Sequence, residues 1–190
     1  MKTYIPESLI HELQGQDKTI FVATESELAT DDSLYPVVYT GTGRMNVYSA
    51  LVRWWDSARF TIDPSSHVLV HIGHAVSRKF ESGSLVVANT FVNGGSELVR
   101  DTIRTVSPGE SEVSVYTCDF SVNDDHMAPE FSRYDLFDAD AYAFARFCRE
   151  RHLDMVCIKG IADNMDGTLK PWHNLLKDLH KRYARLAGLL

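Results

Sequence analysis

Residues 134–164 read YDLFDADAYAFARFCRERHLDMVCIKGIADN. Ala141, Phe144, Ala145 and Cys148 recur at i, i+3, i+4 and i+7, which predicts an amphipathic helix over residues 141–152. Asp138 and Asp140 stand at its start, where carboxylates cap free N–H groups and meet the positive end of the helix dipole. Residues 154–160 (DMVCIKG) are apolar nearly throughout, the pattern of a strand covered on both faces.

The same alternation runs through the rest of the chain. Residues 19–24 (TIFVAT), 36–40 (PVVYT), 67–73 (HVLVHIG), 84–91 (SLVVANTF) and 112–117 (EVSVYT) are short, rich in Val and bounded by turn residues, and read as strands. Val47, Ala50, Leu51 and Trp54 predict a helix, and Trp172, Leu175, Leu176, Leu179, Tyr183 and Leu186 form a longer apolar stripe after Pro171. A weaker helix is predicted over residues 96–106, a turn at Pro108-Gly109, and the longest polar loop over residues 123–133. Strands alternating with helices imply a three-layer α/β fold, a central mixed sheet flanked by helices, as one domain over residues 1–190.

Composition narrows the function. Of 190 residues, 44% are hydrophobic and 24% charged, which is globular composition. A net charge of −7 without a basic stretch argues against a nucleic-acid partner. No apolar run reaches the roughly 20 residues of a membrane helix, and the N-terminus lacks a signal-peptide core, so neither a membrane nor secretion is expected. Three cysteines without CxxC spacing fit a reducing cytosol.

In open α/β sheets, ligands sit beyond the carboxyl ends of the strands. That rule selects Glu25, the Gly41-Thr42-Gly43 turn, His74, Asp119, Phe120 and Asp163. Each has an ordinary reading beside the functional one: Glu25 as a solvated carboxylate, Asp138 and Asp140 as caps, Cys118 as a packed thiol. His67 and His71 share a strand face but His74 does not, and without an HExxH pattern no metal site is expected. No cofactor motif is present.

Taken in order, these segments resemble the nucleoside phosphorylase/nucleosidase family, most of all its 5′-methylthioadenosine/S-adenosylhomocysteine nucleosidase branch. The resemblance rests on Asp138-Ala139-Asp140 before an alanine-rich helix, then a strand ending Ile161-Ala162-Asp163. Upstream, GTGRMNVYSAL is similar to a Gly-x-Gly-Lys-x-Asn-Ala segment, VLVHIGHAVS to a strand ending in Gly-Ser-Ala-Gly, and TIFVATESE to the opening strand with its glutamate. The resemblance implies cleavage of a purine–ribose N-glycosidic bond. Asp163 would protonate the leaving base and Glu25 activate water. Asp140, with Asp138 and Ala139 beside it, would bind the ribose, Phe120 would stack on the base, and Gly73 and His74 would line the site.

Asp-Ala-Asp replaces the family's Glu-Met-Glu, Ala162 replaces a serine, and Ala75-Val76-Ser77 replaces a run of small residues. These departures keep other readings open: a modified substrate such as an aminofutalosine-type nucleoside, or a nucleoside-binding protein that no longer turns over. Phosphorolysis stays open through Arg44, although His71 occupies the position expected of a phosphate-binding arginine. Relatives imply a homodimer, and Trp54-Trp55, which cannot both face one core, are candidates for its surface.

Overall fold

The computed structural model describes residues 2–94, 100–102, 112–119, 129–165 and 172–190. In chain order the elements are β1 (Thr3–Tyr4), α1 (Glu7–Leu13), β2 (Asp17–Val22), β3 (Val37–Tyr39), α2 (Arg44–Ala58), β4 (His67–Val76), β5 (Leu85–Ala88), β6 (Thr90–Asn93), β7 (Arg100–Thr102), β8 (Ser114–Thr117), β9 (Leu136–Asp138), α3 (Ala141–Glu150), β10 (Asp154–Asp163) and α4 (Trp172–Ala187).

The two long strands β4 and β10 lie side by side and parallel at the centre, Leu69 against Met155 and Gly73 against Lys159. Their alternating side chains serve both layers. Leu69, Ala75, Met155, Cys157 and Ile161 join the core under α2 and α3, while Val68, Val70, Ile72, Val156 and Ile158 join the core under α1 and α4. This is the three-layer α/β arrangement expected, with a mixed sheet.

The sheet runs β1-β5-β10-β4-β9-β8-β6-β7, with β2 and β3 branching from the first half of β4. The apolar run at residues 84–91 is two strands rather than one. Asn89 interrupts it, its side chain accepting the Val113 N–H. β5 pairs with β10 and β6 with β8, so four strands separate two segments joined by a single residue. Only a strongly curled sheet permits that, and the curl gathers the carboxyl ends of β2, β4, β9 and β10.

Two further expectations are corrected. Within the helix predicted over residues 96–106, Arg100–Thr102 is a strand on β6, because pairing with a sheet edge overrides a weak helical pattern. The short strands β1 and β9 were not marked by any apolar run. Trp54 and Trp55 are both half-buried against the core under α2 and α3, Trp54 edge-on to Phe21. The Pro108-Gly109 turn and residues 123–128 of the polar loop lie outside the described residues. Among the described residues, no helix is long and apolar enough to cross a membrane.

Two buried groups make the packing sensitive. Gly160 faces α4: a Cβ there would collide with Tyr183 Oη and lie 2.8 Å from Leu179 Cδ2, while Tyr183 donates to the Gly73 carbonyl at 2.8 Å. Gly160→Ala therefore should destabilise the fold by about 1–3 kcal/mol, read as a lower Tm.

His71, on the opposite face, stacks on Phe144 with ring centroids 4.7 Å apart. Burial and the nearby Lys159 charge lower its imidazole to about 3. In the unfolded chain it protonates near its ordinary value of about 6.5. Between those values the unfolded state holds the extra proton, so stability falls as pH drops through this window. His71→Leu should remove roughly 2 kcal/mol of the stability lost between about pH 7 and 5, measured by urea unfolding at both.

Candidate functional site

At the carboxyl end of the sheet the electrostatics turn on one cation. Lys159 has no exposed surface, and its Nζ lies 2.7 Å from Asp138 Oδ2 and 2.8 Å from Asp140 Oδ1. Burial alone would drive the ammonium toward neutrality, but the two carboxylates more than reverse this and hold it well above the ordinary lysine value. The strands set the meeting point: β10 carries Lys159 beside Gly73 of β4, while β9 ends on Asp138 and α3 begins just after Asp140.

Asp138 is saturated by the protein. Thr117 Oγ1 donates to its Oδ1 at 2.6 Å, and the Ala141 N–H donates to Oδ2 at 2.9 Å. Burial pushes this carboxyl above its usual range, with the Lys159 charge pulling against it. Asp138 thus supplies the helix cap, although Asp140 occupies the residue before α3. Asp140 makes no side-chain cap and turns to Lys159, with His71 Nε2 3.6 Å from the same oxygen. Ala139 is half-buried between them.

Glu25 does not join this cluster. β2 ends at Val22, and Glu25 is exposed on the turn that follows. Two residues on, Glu27 folds back into the protein. Its Oε2 accepts from the Ala23 N–H at 2.6 Å and the Thr24 N–H at 3.3 Å, and its Oε1 lies 3.1 Å from His74 Nδ1. Burial would raise this carboxyl, but His74, the Ala23 N–H and the Lys159 charge outweigh it, leaving Glu27 below its ordinary value and ionised. After β2 it is therefore Glu27, and not the exposed Glu25, whose carboxylate is buried.

Gly73 is where these groups converge. A Cβ built on it would lie 3.1 Å from Lys159 Nζ and 3.9 Å from both Glu27 Oε1 and His71 Nε2. The missing side chain leaves room among a cation, a carboxylate and a buried imidazole nitrogen that, among the described residues, has no hydrogen-bond partner.

Asp163 closes β10 after a bulge between Ile161 and Asp163, beside Val76. Its carbonyl accepts from Ser77 N–H at 2.9 Å and its Oδ1 from Met165 N–H at 2.5 Å. Among the described residues it makes no hydrogen bond or ion pair to Glu27, His74, Lys159 or Asp140. Phe120 lies outside the described residues. Arg44, at the start of α2, is taken: Nε donates to Asp119 Oδ1 at 2.9 Å, and its other nitrogens reach Asp119 Oδ2, Asn93 Oδ1 and the Gly94 carbonyl. His67 pairs with Thr19 Oγ1 at 3.0 Å rather than sharing a site with His71.

Lys159 and Glu27 were not singled out in the sequence, yet both carried a signal. A lysine inside MVCIKGIA must bury its charge and so demands acidic partners, which the Asp-x-Asp pair supplies. In ESEL, Glu27 adjoins Leu28, a core residue, whereas Glu25 has no apolar neighbour.

No protein-family model matches the sequence, and comparison with curated proteins gives no match. Solved structures do resemble it. The 5′-methylthioadenosine/S-adenosyl homocysteine nucleosidase of Campylobacter jejuni superposes with a TM-score of 0.72 at 12% identity, over 92% of this chain and 98% of that one. A futalosine hydrolase mutant of Helicobacter pylori gives 0.68 at 12% identity, over 91% and 97%. The 5′-methylthioadenosine/S-adenosylhomocysteine nucleosidase of S. pneumoniae, with a transition-state inhibitor, gives 0.68 at 15% identity, over 91% and 98%. The chain shares the fold of these nucleosidases over nearly its whole length.

Proposed function

We propose that this chain is a purine nucleosidase that hydrolyses the N-glycosidic bond of an adenine-bearing nucleoside. Its substrate is of the methylthioadenosine or S-adenosylhomocysteine kind, or a modified nucleoside such as aminofutalosine. The observation that carries this reading is the convergence of Glu27, His74 and Asp140 around Gly73 and Lys159, at the carboxyl ends of a sheet shared with nucleosidases.

The chemistry fits an acidic site. As the glycosidic bond breaks, the sugar becomes an oxocarbenium-like cation and the base leaves with an electron pair. Asp138 and Asp140 pair with Lys159, and Glu27 lies near enough to feel its charge, so carboxyl groups outnumber the ammonium and favour a cationic transition state. Asp140, anchored through Oδ1 to Lys159, accepts ribose hydroxyls in charge-assisted hydrogen bonds. The Glu27 end supplies the base that activates water, and Asp163, at the end of the neighbouring strand, protonates the leaving purine.

Water rather than phosphate is the nucleophile in this reading. Arg44, the residue that kept phosphorolysis open, already binds Asp119, Asn93 and Gly94, and Lys159 is neutralised by two aspartates. A phosphate dianion would enter a site with an excess of acidic groups and neither of these cations free.

Pure protein incubated with methylthioadenosine, S-adenosylhomocysteine, adenosine, inosine and aminofutalosine should release free base without phosphate, followed by chromatography. Release only with phosphate would make it a phosphorylase; no release from folded protein would overturn the enzymatic reading in favour of a binding role. Asp163→Asn and Glu27→Gln should each lower turnover by about 10²–10⁴-fold, whereas Glu25→Gln should leave it near wild type. Asp140→Asn should raise KM for the nucleoside by at least about tenfold, the worth of a charge-assisted bond.

A further inference from the structure

Hydrolysis needs one atom that takes a proton from water, and the geometry at the end of β2 singles one out. Neither oxygen of Glu27 is unengaged: Oε2 accepts two backbone N–H groups, and Oε1 faces His74 Nδ1 at 3.1 Å. An ionised carboxylate can only accept, so Nδ1 is the nitrogen that carries the proton. In the neutral ring the lone pair then belongs to Nε2. Among the described residues the His74 Nε2 atom, itself buried, has no hydrogen-bond partner.

The ring is also held in place. It lies tilted against Tyr183, with centroids 5.7 Å apart, and Tyr183 is fixed in turn by its bond to the Gly73 carbonyl. About a quarter of the His74 side chain is exposed (26%), while Nε2 itself is covered and, among the described residues, unpartnered. A carboxylate locking one ring nitrogen while the other is left basic is the arrangement that makes a histidine a general base.

We propose that His74 Nε2 is the general base of the hydrolysis and that Glu27 is its positioning residue. This rests on the nucleosidase reading and assigns the base within it. Water loses a proton to Nε2 and its oxygen bonds to C1′ of the sugar. The C1′–N bond breaks, its electron pair leaves with the base, and the base takes a proton from Asp163. The imidazolium, paired with Glu27, then returns its proton to solvent while Asp163 regains one. One water is consumed and both side chains end as they began.

The test uses whichever nucleoside of the panel the wild-type protein hydrolyses. His74→Ala should lower kcat by about 10²–10⁴-fold, and imidazole of increasing concentration should restore part of it. His74→Asn, whose amide keeps a donor toward Glu27 but cannot take the proton, should be slow with little change in KM and should not respond to imidazole. It also serves if His74→Ala does not fold. A folded variant of either kind with kcat within about threefold of wild type overturns the assignment, as does a slow His74→Ala that imidazole leaves unchanged. If the wild type releases no base from any nucleoside, the nucleosidase reading fails and this assignment falls with it. Hydrolysis that survives loss of His74 removes the assignment alone.

Discussion

A lysine ammonium without exposed surface must have its charge met inside the protein, because an unpaired buried charge is far more costly than a folded domain can offset. Lys159 is met twice, by Asp138 and by Asp140. That constraint ties four elements together: β10 carries the cation, β9 ends on one carboxylate, α3 starts behind the other, and β8 contributes Thr117 to hold Asp138 in place. It also divides labour between the two aspartates. Asp138 is spent on the helix cap and on the lysine, which leaves Asp140 as the carboxylate turned toward the candidate site.

Two glycines on adjacent strands let this centre exist. Lys159 pairs with Gly73, and Gly160 with His74, so a small residue stands on each central strand at neighbouring positions. The glycines serve opposite faces. Gly160 admits Tyr183 from α4, and Gly73 leaves space beside Lys159, Glu27 and His71. Tyr183 connects the two, since it packs on Gly160 and donates to the Gly73 carbonyl. The packing of α4 and the shape of the polar centre are therefore not independent, and a change on one face of the sheet is felt on the other.

The likeness to nucleosidases at 12–15% identity is a likeness of fold. It persists at such low identity because a fold of this kind depends on patterns that many sequences satisfy, such as apolar central strands and helices with one apolar stripe. Site chemistry is less tolerant. Asp-Ala-Asp around a lysine and a histidine paired to Glu27 are features of this chain, and the proposed mechanism is built from them.

Much of the fold could be read from residue pattern. The apolar runs at residues 67–73 and 154–160 marked the two central strands, and the 3.6-residue periods marked α2, α3 and α4, because burial on both faces or on one stripe leaves a local signature. β1 and β9 were invisible because two or three residues carry no period, and residues 100–102 became a strand because an edge of β6 was there to pair with. The site was legible in kind but not in detail. The Asp-x-Asp pair and the carboxylate after the first strand were visible, but which glutamate turned inward depended on how the chain leaves β2. Residue 27, not 25, reaches back to the free N–H groups of Ala23 and Thr24. That Lys159 lies between Asp138 and Asp140, and that His74 faces Glu27, follows from strand register and sheet curl. These bring together residues 19 to 47 positions apart in the chain, and no local pattern records such a meeting.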